Sequence, residues 1–443
     1  MVAPLKIGIA GLGIVGASVV RLIEQQREAL AARCGRSIEV VAVSARSRGK
    51  RRDLDLKRLR WVTDPVSLAS DAEIDVFVEL MGGEGDPARA AVAAALAARK
   101  SVVTANKALL ARHGVRLAGI AEKNHVALNF EAAVGGAIPI VKTIREGLAG
   151  NSLARVYGIL NGTCNYILTR MEQEKMAFAE CLAEAQRLGY AEADPTFDVE
   201  GHDTAQKLAI LATLAFGTKA DESAVYVEGI SSIAPEDLAW ADELGYRVKL
   251  LGVAVKTDSG IEQRVHPTMV PKDSAIAQVM GVTNAVTIDA DAMAPLTLVG
   301  PGAGGVATAS AVVSDIGDIA RGVRTAPFGR PSSALVSSKK APMQRHEGGY
   351  YIRLLAVDKP GTAASIARRL AQQNISLESI VQRHRSGPPQ GGKSPGRSGE
   401  PVPVPVVLIT YATTEDAVRK ALAAVGRDKV ILGKPQVIRI EKN

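Results

Sequence analysis

Apolar positions along this chain fall into short blocks with two different periods. The block "LKIGIAGLG" (Leu5 to Gly13) is followed by "GASVVRLIEQQREALAARCG", whose apolar residues recur at helical spacing, and then by a second apolar run, "SIEVVAVSA". Next come "IDVFVELMGG", the alanine-rich "DPARAAVAAALAARK", "SVVTANK" and "HVALNFEAAVGG". Strands alternating with helices predict a parallel sheet covered on both faces, an α/β domain over about 1–130. From about Gly150 the pattern changes to longer helices and then to "YRVKLLGVAVKT", "IEQRVHPTMV", "NAVTIDADAM" and "APLTLVGPG", four strands joined by short turns. That predicts an α+β domain with its own sheet over 131–302.

The stretch "GAGGVATASAVVSDIGDIARG" reads as a helix, and 303–335 is expected to complete the first domain. "SSKKAPMQRHEGG" is polar and unpatterned, a linker at 336–348. The remainder, 349–443, gives strand, helix, two strands, helix, strand, which is the ferredoxin-like order. Its second and third strands are separated by "RSGPPQGGKSPGRSGEPVP", an insert at 385–403 expected to be flexible. Three domains suit a chain of 443 residues.

Composition narrows the class. Apolar content of 47% and charged content of 23% are those of an ordinary soluble globular protein. Cys34, Cys164 and Cys181 are widely spaced, which supports neither a disulfide framework nor a zinc site and suits a reducing compartment. "MVAPLKIGIAGLG" lacks the features of a signal peptide, and no apolar run reaches the roughly 18 residues of a membrane span, so a cytoplasmic protein with no membrane partner is expected. The net charge of +8 would permit nucleic-acid binding. Much of it lies in "RSRGKRR" and after Ser337, and aromatics make up only 4%, so with no recognition motif no nucleic acid is expected.

"GLGIVG" (Gly11, Leu12, Gly13, Ile14, Val15, Gly16) matches GxGxxG between a strand and a helix. Gly11 allows the turn, Gly13 the approach of a pyrophosphate, and Gly16 the packing of helix on strand: a Rossmann-type site. The second strand ends in Ser44, Ala45 and Arg46 with no acid before Asp53, and an arginine there suits a 2′-phosphate. NADP is therefore preferred, with NAD as the alternative. Lys107, in "TANK", falls at the carboxyl end of a parallel strand, where open α/β sheets bind ligands. In "GYAEADPTFDVEGHDTAQKLAILATLAFG", Glu192, Asp194, Asp198, Glu200 and Asp203 precede Lys207, and helical spacing puts Asp203 and Lys207 one turn apart on the same face. The pair is either an exposed bridge of small worth or, on so apolar a helix, the polar edge of a cleft. The acids fail the EF-hand spacing, which argues against calcium.

Taken together, "GLGIVG", "TANKALLARHG", "FEAAVGGAIPIVKTIREGLAGN", "GILNGTCNYILTRM", the acidic run and "GPGAGGVATASAVVSDI" resemble homoserine dehydrogenase, and "VDKPGTAASIARRLAQQNISLESIVQ" resembles the ACT domain that some members carry at the C-terminus. The resemblance implies reversible NAD(P)-dependent interconversion of L-homoserine and L-aspartate 4-semialdehyde by a homodimer or homotetramer. At matching positions it implies Lys207 as proton donor and acceptor, Lys107 as the second lysine, Glu192 as ligand of the substrate ammonium, and Asp198 and Asp203 beside it. Gly189 and Gly302 join the cofactor site, and the backbone carbonyls of Glu131, Val134, Gly136 and Ile138 hold a sodium ion. In the tail, Asp358 and Gly361 stand where an amino-acid effector would bind, L-threonine being the leading candidate. Two other readings stand beside this one: another NADP-dependent semialdehyde dehydrogenase, for which Cys164 is the one thioester candidate, and a non-catalytic amino-acid sensor.

Overall fold

A computed structural model describes residues 2–50, 52, 54–337, 339–382 and 403–441. The insert expected at 385–403 lies outside the described residues except for Pro403.

The first apolar blocks become six parallel strands, β1 (Leu5–Ala10), β2 (Ile38–Ser44), β3 (Arg60–Trp61), β4 (Val76–Glu79), β5 (Ser101–Thr104) and β6 (Leu128–Asn129). Their spatial order is β3-β2-β1-β4-β5-β6, that of a doubly wound dinucleotide-binding sheet. The order reverses between β1 and β4, and the crevice beyond the carboxyl ends of those two strands is where such a sheet receives its ligand. Ile7, Ile9, Val76, Val78 and Val103 are buried between helices on either face, which explains their unbroken apolar runs. Helix Gly305–Ala320 returns to this domain and packs along helix Ile14–Gln25.

The second sheet contains β7 (Leu153–Ile159), β8 (Tyr226–Val227), β9 (Tyr246–Thr257), β10 (Gly260–Pro271), β11 (Thr283–Ala290) and β12 (Met293–Pro301). Helix His202–Phe216 lies on β9 and β10 with thirteen of its residues buried, among them the charged Asp203 and Lys207. A helix buried on nearly every face is held by tertiary packing rather than by propensity.

The tail forms β13 (Glu347–Val357), helix Thr362–Ala371, β14 (Leu377–Gln382), β15 (Pro403–Thr410), the short β16 (Thr413–Thr414), helix Glu415–Arg427 and β17 (Ile431–Ile440). The order β17-β13-β15-β14, with antiparallel pairs throughout, is ferredoxin-like. The sheet does not end there. Strand β17 also pairs in parallel with β10 at Thr268 and Met269, so the second sheet and the tail sheet are one sheet of eleven strands. The stretch read as a linker at 336–348 is likewise laid against the body: Val336 bridges Thr218, and Lys340 bridges Ile261. Sequence pattern could not reveal this, because the pairing uses only backbone groups and two residues of an ordinary strand. Among the described residues no helix is long and apolar enough to cross a membrane.

Candidate active site

The turn after β1 carries the glycines. Gly11 has φ +102, and a side chain there would strike the Leu80 carbonyl at 2.4 Å; at Gly16 it would meet the Gly11 carbonyl at 2.0 Å. Both positions exclude a Cβ. At Gly13 an added Cβ would meet nothing within 4 Å, so the backbone faces open space at the start of helix Ile14–Gln25, whose first-turn N–H groups lack helical partners. Helix Gly305–Ala320 starts close by, since a side chain on Gly305 would meet Ile14 at 2.6 Å. Ile14 and Val306 are 80% and 71% exposed, the highest values among the large apolar residues described. Such bare apolar surface between two helix starts fits a planar ligand group. Arg46 is exposed after β2. Arg52, which the sequence reading passed over, donates to the Leu12 carbonyl at 3.0 Å and lies with Arg48 over Trp61.

Lys107 is placed by a buried relay at the ends of β4 and β5. Glu79 accepts from the N–H groups of Met81 and Gly82 and from the Thr104 hydroxyl at 2.6 Å. Thr104 accepts from the Asn106 N–H, and the Asn106 side chain caps helix Lys107–Lys123 by accepting from Leu109 N–H. Lys107 therefore opens its helix at the crevice.

Lys207 arrives from the other domain. Its Nζ donates to the Leu160 carbonyl and to Asp203 Oδ2, both at 2.8 Å, while Lys107 Nζ lies 2.9 Å from Asp203 Oδ1. One buried carboxylate thus joins two lysines across the domain boundary. Burial alone would raise the Asp203 carboxyl, but the two ammonium groups overcome it and hold the acid far below the usual range. Burial likewise works against the Lys107 ammonium, yet Asp203, aided by Asp198 and Glu192, raises it above the ordinary lysine value. Asp198 is raised by burial and by the Asp203 charge.

Asn161 accounts for the close approach of those two acids. Its Nδ2 donates to Asp198 at 2.8 Å and to Asp203 at 2.9 Å, while its Oδ1 accepts the Cys164 N–H and caps helix Gly162–Glu174. Sequence could show at most the cap, which uses only the oxygen of this side chain; the amide nitrogen gives no signal. Phe197, also missed, has its ring 6.0 Å from Lys107 Nζ. Cys164 is buried, its Sγ donates to the Asp198 carbonyl, and burial with the neighbouring acids pushes the thiol well up. That is the opposite of what a thioester-forming nucleophile needs.

A crevice of about 290 Å³ brings these parts together, with Val15, Met81, Lys107, Val134, Lys207 and Gly302 in its wall. Glu192 is exposed on the loop before Asp198. Gly189, at φ +76 beyond helix Phe178–Arg187, is not among the residues lining the crevice. Glu131 is buried with its carboxylate accepting the N–H groups of Val141 and Lys142, and Gly136, at φ +61, turns the chain against Gly302 with no room for a side chain. Asp358 is exposed beside Gly361, which starts helix Thr362–Ala371 at φ +91.

Comparison with known proteins agrees with this geometry. Residues 139–316 match the family described as homoserine dehydrogenase, and residues 11–131 match the family described as homoserine dehydrogenase, NAD binding domain. A homoserine dehydrogenase of Neisseria gonorrhoeae is 43% identical over 95% of each chain. The crystal structure of a homoserine dehydrogenase from Thiobacillus denitrificans is 41% identical over 99% of each chain, with a TM-score of 0.91. A hyperthermophilic archaeal homoserine dehydrogenase in complex with NADPH is 26% identical, with a TM-score of 0.61, over 71% of this chain and 97% of its own.

Proposed function

The chain belongs to the homoserine dehydrogenase family, and from that premise we propose how its residues divide the work. It is an NAD(P)-dependent oxidoreductase of amino-acid biosynthesis, interconverting L-homoserine and L-aspartate 4-semialdehyde. The observation that carries the proposal is the Asp203 carboxylate shared by Lys107 and Lys207 at 2.9 and 2.8 Å on the wall of the nucleotide crevice.

The bound nicotinamide supplies or removes hydride at the substrate carbon. Charge then develops on the substrate oxygen, where Lys207, facing the crevice, stabilises it and transfers the proton. Asp203 keeps both lysines aimed and offsets their mutual repulsion. Lys107 is the second cation and, being 33% exposed, the one nearer to incoming ligand. Glu192, with Asp198 behind it, receives the substrate ammonium. Gly11, Leu12, Gly13, Ile14, Val15, Gly16 and Gly302 hold the dinucleotide, with Gly189 at the outer edge of the site. NADP is the preferred cofactor because Arg46 follows β2 where an acid would face a bare 2′-hydroxyl.

The carbonyls of Glu131, Val134, Gly136 and Ile138 would hold a sodium ion. The supporting feature is a buried turn whose one carboxylate, Glu131, is already spent on backbone N–H groups, leaving carbonyl oxygens as donors. The work falls to 1–130 with 303–335 for the cofactor, 131–302 for the substrate and subunit contact, and 349–443 as a regulatory ACT domain. In that domain the N–H groups of the first turn after Gly361, of which Thr362 already donates to the Lys359 carbonyl, meet the carboxylate of L-threonine and Asp358 its ammonium. A cytoplasmic homodimer or homotetramer fits these roles.

Absorbance at the nicotinamide band, with L-homoserine and each oxidised cofactor in turn, tests the reading. Faster formation of NADPH than of NADH is expected, with inhibition by added L-threonine. A chain that reduces neither cofactor would overturn the assignment of the crevice.

A further inference from the structure

The helix that carries Asp203 and Lys207 begins at a turn with no clearance. Gly201, at φ +87, precedes His202, and a side chain on it would meet Val265 at 2.9 Å and Val227 at 3.2 Å. Its neighbour across the turn is equally tight: a side chain on Gly229 would strike the Val199 carbonyl at 2.4 Å and the Glu200 carboxylate at 2.5 Å. The Ile230 N–H donates to the Val199 carbonyl at 2.9 Å, and the Ser231 hydroxyl donates to Glu200. Segment 226–231 therefore clasps residues 199–201, which lead directly into Asp203.

What holds that segment comes from the tail. Arg439, on β17 and 2% exposed, donates through two nitrogens to the Glu228 carboxylate and through Nε and Nη2 to Glu415 at 3.0 and 2.7 Å. Arg419 donates to the Tyr226 hydroxyl at 3.0 Å, and the Arg439 guanidinium lies 5.3 Å from the centre of the Tyr226 ring. One arginine of the last strand thus grips the first turn of the tail helix Glu415–Arg427 with one edge and the clasp with the other. A planar guanidinium does this by holding two carboxylates at fixed angles, which a lysine cannot reproduce.

We infer that Arg439 is a positioning residue for the active-site helix, setting through Glu228 and the 226–231 clasp where Asp203 and Lys207 stand relative to Lys107. The inference rests on the proposed roles of Lys107, Asp203 and Lys207. It gives the tail a route to the chemistry: any ligand that shifts helix Glu415–Arg427 pulls on Glu415 and so on Arg439.

The test uses the full chain. Arg439→Gln is expected to lower kcat/KM for homoserine by about 10- to 100-fold, since small misplacements of reacting groups cost that much, while NADPH binding, followed by its fluorescence, stays within about twofold. Arg439→Lys should recover part of the loss. Glu228→Gln, a milder change at a side chain 37% exposed, should act in the same direction, and the double variant should be no worse than Arg439→Gln alone. Arg353→Gln is the control, because Arg353 pairs with buried Asp237 at the same junction and not with Glu228 or Glu415; it should lower the melting temperature and leave kcat/KM unchanged. Unaltered kcat/KM in both Arg439→Gln and Glu228→Gln would overturn the inference. So would losses in Arg439→Gln and Arg353→Gln that simply follow their melting temperatures. A Lys207→Ala chain that kept its turnover would instead remove the reading beneath it.

Discussion

Two networks of charge are built around β10, one where it meets the tail and one on the helix packed against it, and they are finished differently. At the tail junction each arginine meets two carboxylates: Arg439 with Glu228 and Glu415, Arg264 with Glu262 and Glu441, Arg155 with Asp289 and Glu441. At the crevice two lysines share a single carboxylate, and Lys107 remains 33% exposed. Arginine stays charged and fixes geometry; lysine is a point charge that can give up its proton. The closed network resists change of protonation, and the open one keeps a cation facing a cavity where charge will appear. Burial alone therefore does not distinguish a structural ion pair from a reacting one, whereas the number of acceptors per cation and the presence of a crevice do.

The difference is broken most forcefully at the open network. Lys207→Ala should lower turnover by about 10² to 10⁴ while leaving cofactor affinity nearly intact, because the proposed role of the residue is at the substrate oxygen. Steady-state kinetics with homoserine measures it, and near-normal turnover would end the proposed role. Lys207→Arg should be almost as poor, since a guanidinium does not release a proton near neutral pH.

How much of this was legible beforehand depends on the range of the interactions involved. Gly11 and Gly16 could be read because local backbone geometry demands them, and the pairing of Asp203 with Lys207 because helical spacing puts residues four apart on one face. The third member, Lys107, comes from 96 residues upstream in the sequence, and no periodicity relates it to Asp203; its place at the end of a parallel strand marked it as a candidate, and resemblance to the family supplied its role beside Lys207. Asn161 was half legible: its oxygen caps a helix next in sequence, but its nitrogen joins two acids 37 and 42 residues away. The closed network was not legible at all. Glu228, Glu415 and Arg439 lie on three separate stretches of the chain, and a lone arginine on a terminal strand carries no sign that it will be buried. The merging of the two sheets escaped for the same reason, since strand partners are chosen by tertiary packing.

A smaller effect is expected from Arg46, an exposed cation on the open side of the molecule. If an open charge stands ready for a ligand, Arg46→Asp should weaken NADPH binding by about tenfold, the scale of losing one charge-assisted contact to phosphate, and NADH binding far less. Fluorescence titration with each reduced cofactor separates the two. Equal weakening would show a solvated loop and would blur the line between open and closed charge.

The least conspicuous prediction concerns a closed acid pair, Asp315 and Glu131, behind the crevice. Asp315 is 1% exposed, accepts the Glu131 N–H at 2.9 Å, and lies 3.8 Å from Lys142 Nζ, which also pairs with Asp318. Burial, with the Glu131 charge added, pushes the Asp315 carboxyl up to about 7, and Glu131 is itself raised, chiefly by burial. A carboxyl whose value is raised on folding binds its proton more tightly in the folded chain. Its favourable contribution is therefore complete below the ordinary value near 4, declines as pH rises toward 7, and is gone above it. Asparagine keeps the acceptor for the Glu131 N–H and has no proton to lose. Relative to the unaltered chain, Asp315→Asn should thus gain stability between pH 4 and pH 7, by on the order of 1 to 4 kcal/mol over three pH units at about 1.36 kcal/mol each. Urea midpoints measured at intervals across that range give the slope directly. A difference between the two chains that does not vary with pH would mean that Asp315 is already ionised throughout, its charge held by Lys142 in the manner of the arginine network at the tail.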